Sequence, residues 1–266
     1  MPIECSIEPA SVSRDEYHKL DYKVMAIIFD VHKELGRLYN EKIYQNQIFN
    51  RCREAGFNPA KEVSVRIYHE DFEKVYFIDL IINMSILYEF KAVECLNPQY
   101  RQQTLNYLFI TGFKCGKLVN LGSQSVQSEF VTTSLNKEER YQFEIIKDDW
   151  SDLNSDSVWL RKLITDLLKD WGAFLDIRLF QEAVSYFRGG PKNFIRPVEI
   201  MGNNQVLGVQ KLPLINNELA VRFTAIKGSA NSYEKHLRRF LAHTPLHAMH
   251  WINFNKHKIL MKTLIK

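Results

Sequence analysis

Four cysteines stand among 266 residues, and no two of them form a CxxC pair. Cys5, Cys52, Cys95 and Cys115 are scattered, which excludes a zinc knuckle and a disulfide framework. They read as reduced thiols of a cytoplasmic protein. No apolar run approaches the roughly 20 residues that span a bilayer, so no membrane association is expected. The stretch MPIECSIEPASVSRDEY has no basic start followed by an apolar run and does not read as a secretory signal. A Walker loop, a GxGxxG turn and a defensible Ser-His-Asp grouping are all missing. Histidines do crowd the end of the chain, at His236, His243, His247, His250 and His257. His243 and His247 have i,i+4 spacing, but Pro245 between them breaks a helix, so they read as scattered histidines and not as zinc ligands.

What is present is ordinary in bulk and uneven in distribution. The chain is 45% hydrophobic and 25% charged, as in globular proteins. Its length suits one large or two modest domains. Residues 1–150 carry 18 Lys and Arg against 22 Asp and Glu, whereas residues 151–266 carry 17 against 9. A basic half beside an acidic one suits an anionic partner held by the second half. Solvated surface lysines explain the same numbers.

Periodicity places the elements. Residues 1–20 read as a loose arm. Val24, Ile27, Ile28, Val31 and Leu35 predict a helix from Tyr22 that Gly36 ends. A second helix is predicted at 40–56, with Ile43, Ile48, Phe49 and Cys52 inward. Strands follow at 62–69, 74–83 and 86–94, the last two a hairpin turning at Asn83-Met84-Ser85. A helix at 98–111 opens with Pro98, and strands at 116–121 and 127–133 complete the half. The polar stretch DDWSDLNSDS, 148–157, reads as a linker. The order then repeats: helices at 158–171 and 173–187, strands at 195–201, 205–212 and 218–227, a helix at 231–243, and strands at 248–254 and 257–265. Each half reads ααβββαββ.

Residues repeat as well as order. LGRLYNEKIYQ (35–45) aligns with WGAFLDIRLFQ (171–181) through Gly36/Gly172 and Gln45/Gln181. YEFKAVE (88–94) aligns with VRFTAIK (221–227), and LVNLG (118–122) with WINFN (251–255). In this alignment Glu41 meets Ile177, Glu89 meets Arg222 and Lys91 meets Thr224. The second half keeps the apolar frame and loses the acids, so a common fold does not require them. This points to chemistry in the first half alone.

Those acids interrupt apolar strands. Asp79 breaks VYFIDLII, and Glu89 and Lys91 break LYEFKAVE. Glu89 and Lys91 share one strand face, opposite Tyr88, Phe90 and Ala92. In the predicted hairpin Asp79 comes near Glu89. Two carboxylates this close need a proton or cation between them. Mg²⁺, or Mn²⁺, is the natural guest, since such ions take one or two carboxylates with water and phosphate. Lys91 would then orient or deprotonate a water, or meet developing charge. A buried acid–lysine salt bridge accounts for the same residues.

Asp79 with Glu89-x-Lys91 looks like the PD-(D/E)XK nuclease signature, with Ile78 where its proline usually stands. Residues 22–133 more closely resemble the GxxExxY proteins of that superfamily. VHKELG (31–36), EKIY (41–44), IDL (78–80), YEFKAVE (88–94), QTLNYL (103–108), TG (111–112) and LVNLG (118–122) carry the likeness. Glu41 and Tyr44 match the motif's Glu and Tyr, while its first Gly falls at Leu38 and is lost. The resemblance implies that Glu41 joins Asp79 and Glu89 around a metal. It also implies that Gln103 and Tyr107, on one helix face, contact the substrate, as the Q-x-x-x-Y pair of RecB-like exonucleases does.

The expectation is an α/β chain of two tandem restriction-endonuclease-like αβββαβ domains, the second a degenerate copy. The arm would be 1–20, the nuclease-like domain 21–147, the linker 148–157 and the degenerate domain 158–266. The expected activity is metal-dependent hydrolysis of nucleic acid, DNA above RNA. Lys235, Arg238 and Arg239 of EKHLRR are candidate phosphate contacts. The alternative is a non-catalytic nucleic-acid-binding or assembly protein. Self-association is left open.

Overall fold

A computed structural model describes residues 2–228 and 230–266 and divides them into two units. The first takes in the chain up to Tyr68 and Glu73–Glu139. The second takes in His69–Phe72 and Arg140–Lys266. No described helix is long and apolar enough to cross a membrane.

In the first unit, β1 (Ile3–Cys5) precedes α1 (Arg14–Leu35), α2 (Glu41–Glu54), β2 (Pro59–His69), β3 (Phe72–Ile82), β4 (Ile86–Lys91), α3 (Pro98–Thr111), β5 (Cys115–Asn120) and β6 (Gln127–Thr132). The six strands form one sheet in sequence order. β1 and β2 are antiparallel, as are β3 and β4 and again β5 and β6; β4 and β5 are parallel. The three-residue β3–β4 connection closes by a bond from Ser85 N–H to Ile82 carbonyl and puts Asn83 and Met84 both at positive φ, which matches strand twist.

The arm expected at 1–20 is not loose. Ile3–Cys5 pairs with β2, and α1 begins at Arg14, eight residues before the expected start. Ser13 and Glu16 form a reciprocal capping box there, satisfying helix-end donors that apolar periodicity does not register. Tyr17, Val24, Ile28 and Val31 of α1 pack with Tyr44, Ile48 and Cys52 of α2 onto Leu80, Ile82, Tyr88 and Phe90. Ile43 turns outward, 43% exposed, contrary to expectation; Tyr44 takes the buried place. The opposite sheet face carries α3, whose Thr104 and Leu108 sit over Gly116.

In the second unit, β7 (Glu144–Ile146) precedes α4 (Ser155–Trp171), α5 (Ile177–Phe187), the short α6 (Pro191–Phe194), β8 (Ile195–Gly202), β9 (Gln205–Pro213), β10 (Leu219–Thr224), α7 (Ala230–Ala242), β11 (Ala248–Asn255) and β12 (Lys258–Ile265). The division between the units falls after Glu139, earlier than the expected 147, because β7 pairs in parallel with β12. The three successive strands do not form one sheet here. β8 and β9 make a separate ribbon, and the four-stranded sheet runs β10-β11-β12-β7.

The pairing at the heart of each unit is the same. β4 and β5 align from Leu87 with Gly116 through Lys91 with Asn120. β10 and β11 align from Ala220 with Met249 through Thr224 with Asn253, each residue 133 positions later. Asn120 accepts the N–H of Val93 and donates to its carbonyl, at 3.0 and 2.8 Å. Asn253 makes the same two bonds to Ile226, at 2.8 and 3.1 Å. Thr111 closes the end of α3 by bonding back to Tyr107 and receiving Phe113 N–H, and Thr244 does likewise after α7 with Leu241 and Leu246. One polar link differs. The buried Lys117 Nζ meets Asp21 at 2.8 Å, whereas His250 Nε2, at the position of Lys117, meets Ser157 Oγ at 2.8 Å.

Candidate active site

β4 is buried along its whole length, with its charged residues included. Alternation puts Tyr88 and Phe90 into the core beneath α1 and α2, so Glu89 and Lys91 face α3. The β3–β4 ladder ends at Leu80 with Tyr88. One residue on, Asp79 Oδ2 accepts the N–H of Phe90 at 2.7 Å, a side chain taking the place of a strand partner. This bond brings the Asp79 carboxylate to the Glu89 side of the sheet, where its charge acts on Glu89.

The end of β4 is held from β5. The Asn120 bonds to Val93 fix the chain just beyond Lys91. Gly122 lies so close to this segment that a Cβ there would sit 2.4 Å from Val93 N, and only glycine fits. Glu41 opens α2 and accepts a bond from Gln45. Tyr44, one turn in, bonds Gly36 carbonyl at 2.6 Å and ties the α1–α2 connection to the start of α2.

Lys91 Nζ donates to Glu89 Oε1 at 2.5 Å and to Phe90 carbonyl at 2.9 Å, and lies 5.5 Å from the Tyr100 ring centre. The salt bridge that sequence reasoning held as the alternative is therefore formed. It does not satisfy the cluster. Glu89 is 1% exposed, yet its Oε2 has no hydrogen-bond partner among the described residues. Burial, then the neighbouring Asp79 charge, pushes the Glu89 carboxyl up to about 8 against the pull of Lys91. Burial also raises Asp79, against the Phe90 N–H and Lys91. Glu41 is raised by burial and by Asp79, and lowered by Lys91. Burial works against the charge on Lys91, but Glu89, Glu41 and Asp79 outweigh it and hold its pKa up. One ammonium thus serves three acids, and Glu89 answers by holding its proton, a place that a cation could take.

The donor set fits a hard divalent ion with few protein ligands: carboxylate oxygens only, one of them orphaned. No group of three or more His, Cys, Asp or Glu side chains among the described residues is gathered to hold a metal. Any ion here would rest on the Asp79–Glu89 pair.

Gln103 Nε2 donates to Tyr107 Oη at 2.9 Å, so the predicted pair shares a face. Tyr107 is only 4% exposed, and its hydroxyl is raised by burial and then by Glu89, which sets this pair beside the acids. In the second unit Lys235, Arg238 and Arg239 are exposed on α7, and Arg238 pairs with Glu234. Sequence reasoning missed Tyr100 against Lys91 and the clamp made by Asn120. The repeated Asn120/Asn253 identity was the signal for the clamp. A cavity of about 790 Å³ in the first unit, lined by Arg14, Tyr17, His18 and Phe130, contains none of the site residues.

Residues 18–132 match the family model of the PD-(D/E)XK nuclease superfamily. The match spans the helices and strands that carry Glu41, Asp79, Glu89, Lys91, Gln103 and Tyr107, and less than half of the chain. PD-(D/E)XK nucleases generally use divalent metals, in keeping with the surplus of carboxylates. No curated protein and no solved structure matches the chain.

Proposed function

We infer that the first unit is a divalent-metal-dependent nuclease, with DNA as its favoured substrate and a relationship to the GxxExxY proteins. The observation that carries this reading is the orphaned Glu89 Oε2 beside Asp79, in a chain segment matched by the PD-(D/E)XK model. Asp79 and Glu89 would hold the metal, Mg²⁺ or Mn²⁺, with Glu41 as an auxiliary ligand. A bound dication would neutralise the acids and stabilise charge on a phosphate during hydrolysis.

The chain's own residues then divide the work. Asp79 is oriented by Phe90 N–H. Lys91, steered by Glu89 and the Phe90 carbonyl, presents its ammonium to the attacking water or to the developing phosphoryl charge. Gln103 and Tyr107 contact the nucleic acid beside the acids. The second unit is a degenerate copy, a reading supported by the shared β4–β5 and β10–β11 register and by the repeated Asn clamp. It lacks the acids, and its basic α7, with Lys235, Arg238 and Arg239, serves phosphate binding.

A second reading is a non-catalytic nucleic-acid-binding protein. The Lys91–Glu89 pair favours it, because Lys91 is already engaged. Cleavage of labelled linear and circular DNA, single- and double-stranded, and of RNA decides between them. The nuclease reading expects products with Mg²⁺ or Mn²⁺, none with EDTA, and none from Lys91→Ala. Folded wild-type protein that cuts nothing supports the second reading.

A further inference from the structure

We propose that the second unit carries a receptor for a phosphorylated nucleotide unit, in the cavity that α7 forms with β9, β10 and β11. The cavity measures about 280 Å³, and its lining includes Gln210, Arg222, Tyr233, His236, Phe240 and Met249. Arg222 occupies on β10 the ladder position that Glu89 occupies on β4. A carboxylate in one unit is a guanidinium in the other.

Three features define what this cavity takes. The first is a preset anion contact. Arg222 is exposed, and its Nε donates to Tyr233 Oη at 3.1 Å. This bond aims the guanidinium and leaves its two terminal nitrogens without a partner among the described residues, a fork that suits two phosphate oxygens. His236, one turn along α7 from Tyr233, adds a ring nitrogen. The second is the wall. Tyr233 and Phe240 offer aromatic surface to a planar base, as single-strand-binding grooves do.

The third is closure of the position behind it. Trp251 is fully buried and donates its indole N–H to Thr224 Oγ1 at 2.8 Å, where Lys91 stands in the first unit. Thr224 in turn donates to Asn253 at 2.7 Å. Tryptophan and threonine fill that place with a satisfied, uncharged pair, and among the described residues no acids gather there to hold a metal. The pocket therefore takes an anion with a flat apolar part. Lys235, Arg238 and Arg239 do not line it; the residues that do are their neighbours on α7.

This deepens the nuclease reading by giving the second unit one nucleotide of the substrate, but its geometry belongs to the second unit alone. The test uses the full chain in EDTA, where metal-dependent cleavage is silent. A short labelled single strand, adenosine monophosphate and adenosine are titrated into wild type, Arg222→Glu and Tyr233→Phe. The monophosphate or the strand is expected to bind and adenosine not. Arg222→Glu should weaken binding about tenfold or more, the scale of a charge-assisted contact. Tyr233→Phe should weaken it less, by releasing the guanidinium. Arg222 is exposed, so a thermal melt should show both variants folded. Binding of the strand alone identifies a nucleic-acid backbone as the source, and binding of the monophosphate alone a free nucleotide. Equal binding of adenosine and its monophosphate, undiminished affinity in Arg222→Glu, or no binding at all overturns the proposal. Cleavage with Mg²⁺ is scored separately, so failure of the nuclease reading is distinguishable from failure of the pocket.

Discussion

Asp79 accepts the backbone N–H of Phe90 at 2.7 Å, so one carboxylate both completes the edge of a strand pairing and stands beside Glu89. The two tasks separate by substitution. Asp79→Asn keeps an acceptor for Phe90 N–H and removes the charge. Asp79→Ala removes both and leaves a buried donor unpaired, at a cost of about 1–3 kcal/mol. Denaturant titration should find the Asp79→Asn variant near wild-type stability and the Asp79→Ala variant below it, while cleavage is lost in both.

Lys91→Ala takes the one ammonium away from Asp79, Glu89 and Glu41, and the metal-free cluster answers by holding the Glu89 proton more tightly. Because Glu89 takes up a proton, the loss falls below that of a buried partner left charged, about 3–5 kcal/mol. Because a dication can replace the ammonium as counter-charge, the loss in melting temperature should be larger in EDTA than with Mn²⁺. Equal losses in both would mean that Lys91 is only half of a salt bridge.

The Glu89 carboxyl, pushed up to about 8 by burial and by Asp79, sets a pH dependence. In the metal-free fold it keeps its proton up to about 8, whereas in the unfolded chain it loses it near the ordinary value of 4.5. The folded state binds the extra proton between these values, so this group's contribution to stability falls as pH rises through that window. Metal needs the ionised form. Mn²⁺ binding at neutral pH should therefore release about one proton, and apparent affinity should climb until pH reaches about 8 and then level off. Calorimetry in two buffers of different ionisation enthalpy measures the release.

His250 gives the second unit the opposite slope. Burial holds its pKa down to about 4, below the ordinary 6.5. The unfolded chain takes up the proton first, so stability is full above 6.5 and is lost as pH falls toward about 4. Denaturation midpoints across this range should fall with acidification in wild type and less steeply in His250→Asn.

Much of the element order was legible because buried faces impose their period on the sequence. The strands β8 to β12, and α7 among them, lie within a few residues of their expected places. The capping box at Ser13, the Ile3–Cys5 pairing and the capture of Glu144–Ile146 by β12 were not legible, because each depends on hydrogen bonds without an apolar signature. Helical spacing alone puts Ile43 inward, whereas Tyr44 takes the core place and its hydroxyl bonds the Gly36 carbonyl. At the site, charges inside apolar strands marked Asp79, Glu89 and Lys91. What spacing could not decide was how the charges pair, since a 2.5 Å Lys91–Glu89 contact and an orphaned Glu89 oxygen coexist in one strand. Arg222 was visible only as a loss from an alignment, until the strand ladder placed it where Glu89 stands in the first unit. The same offset sets Tyr233 at the place of Tyr100.

That Asp79 and Glu89 form a metal site is decided by Mn²⁺ binding to wild type and Asp79→Asn, measured where the Glu89 carboxyl ionises, at a pH of about 8. Saturable binding in wild type is expected, with its loss in a variant that melts like wild type. Absence of binding in wild type, or binding undiminished in Asp79→Asn, would contradict the metal site.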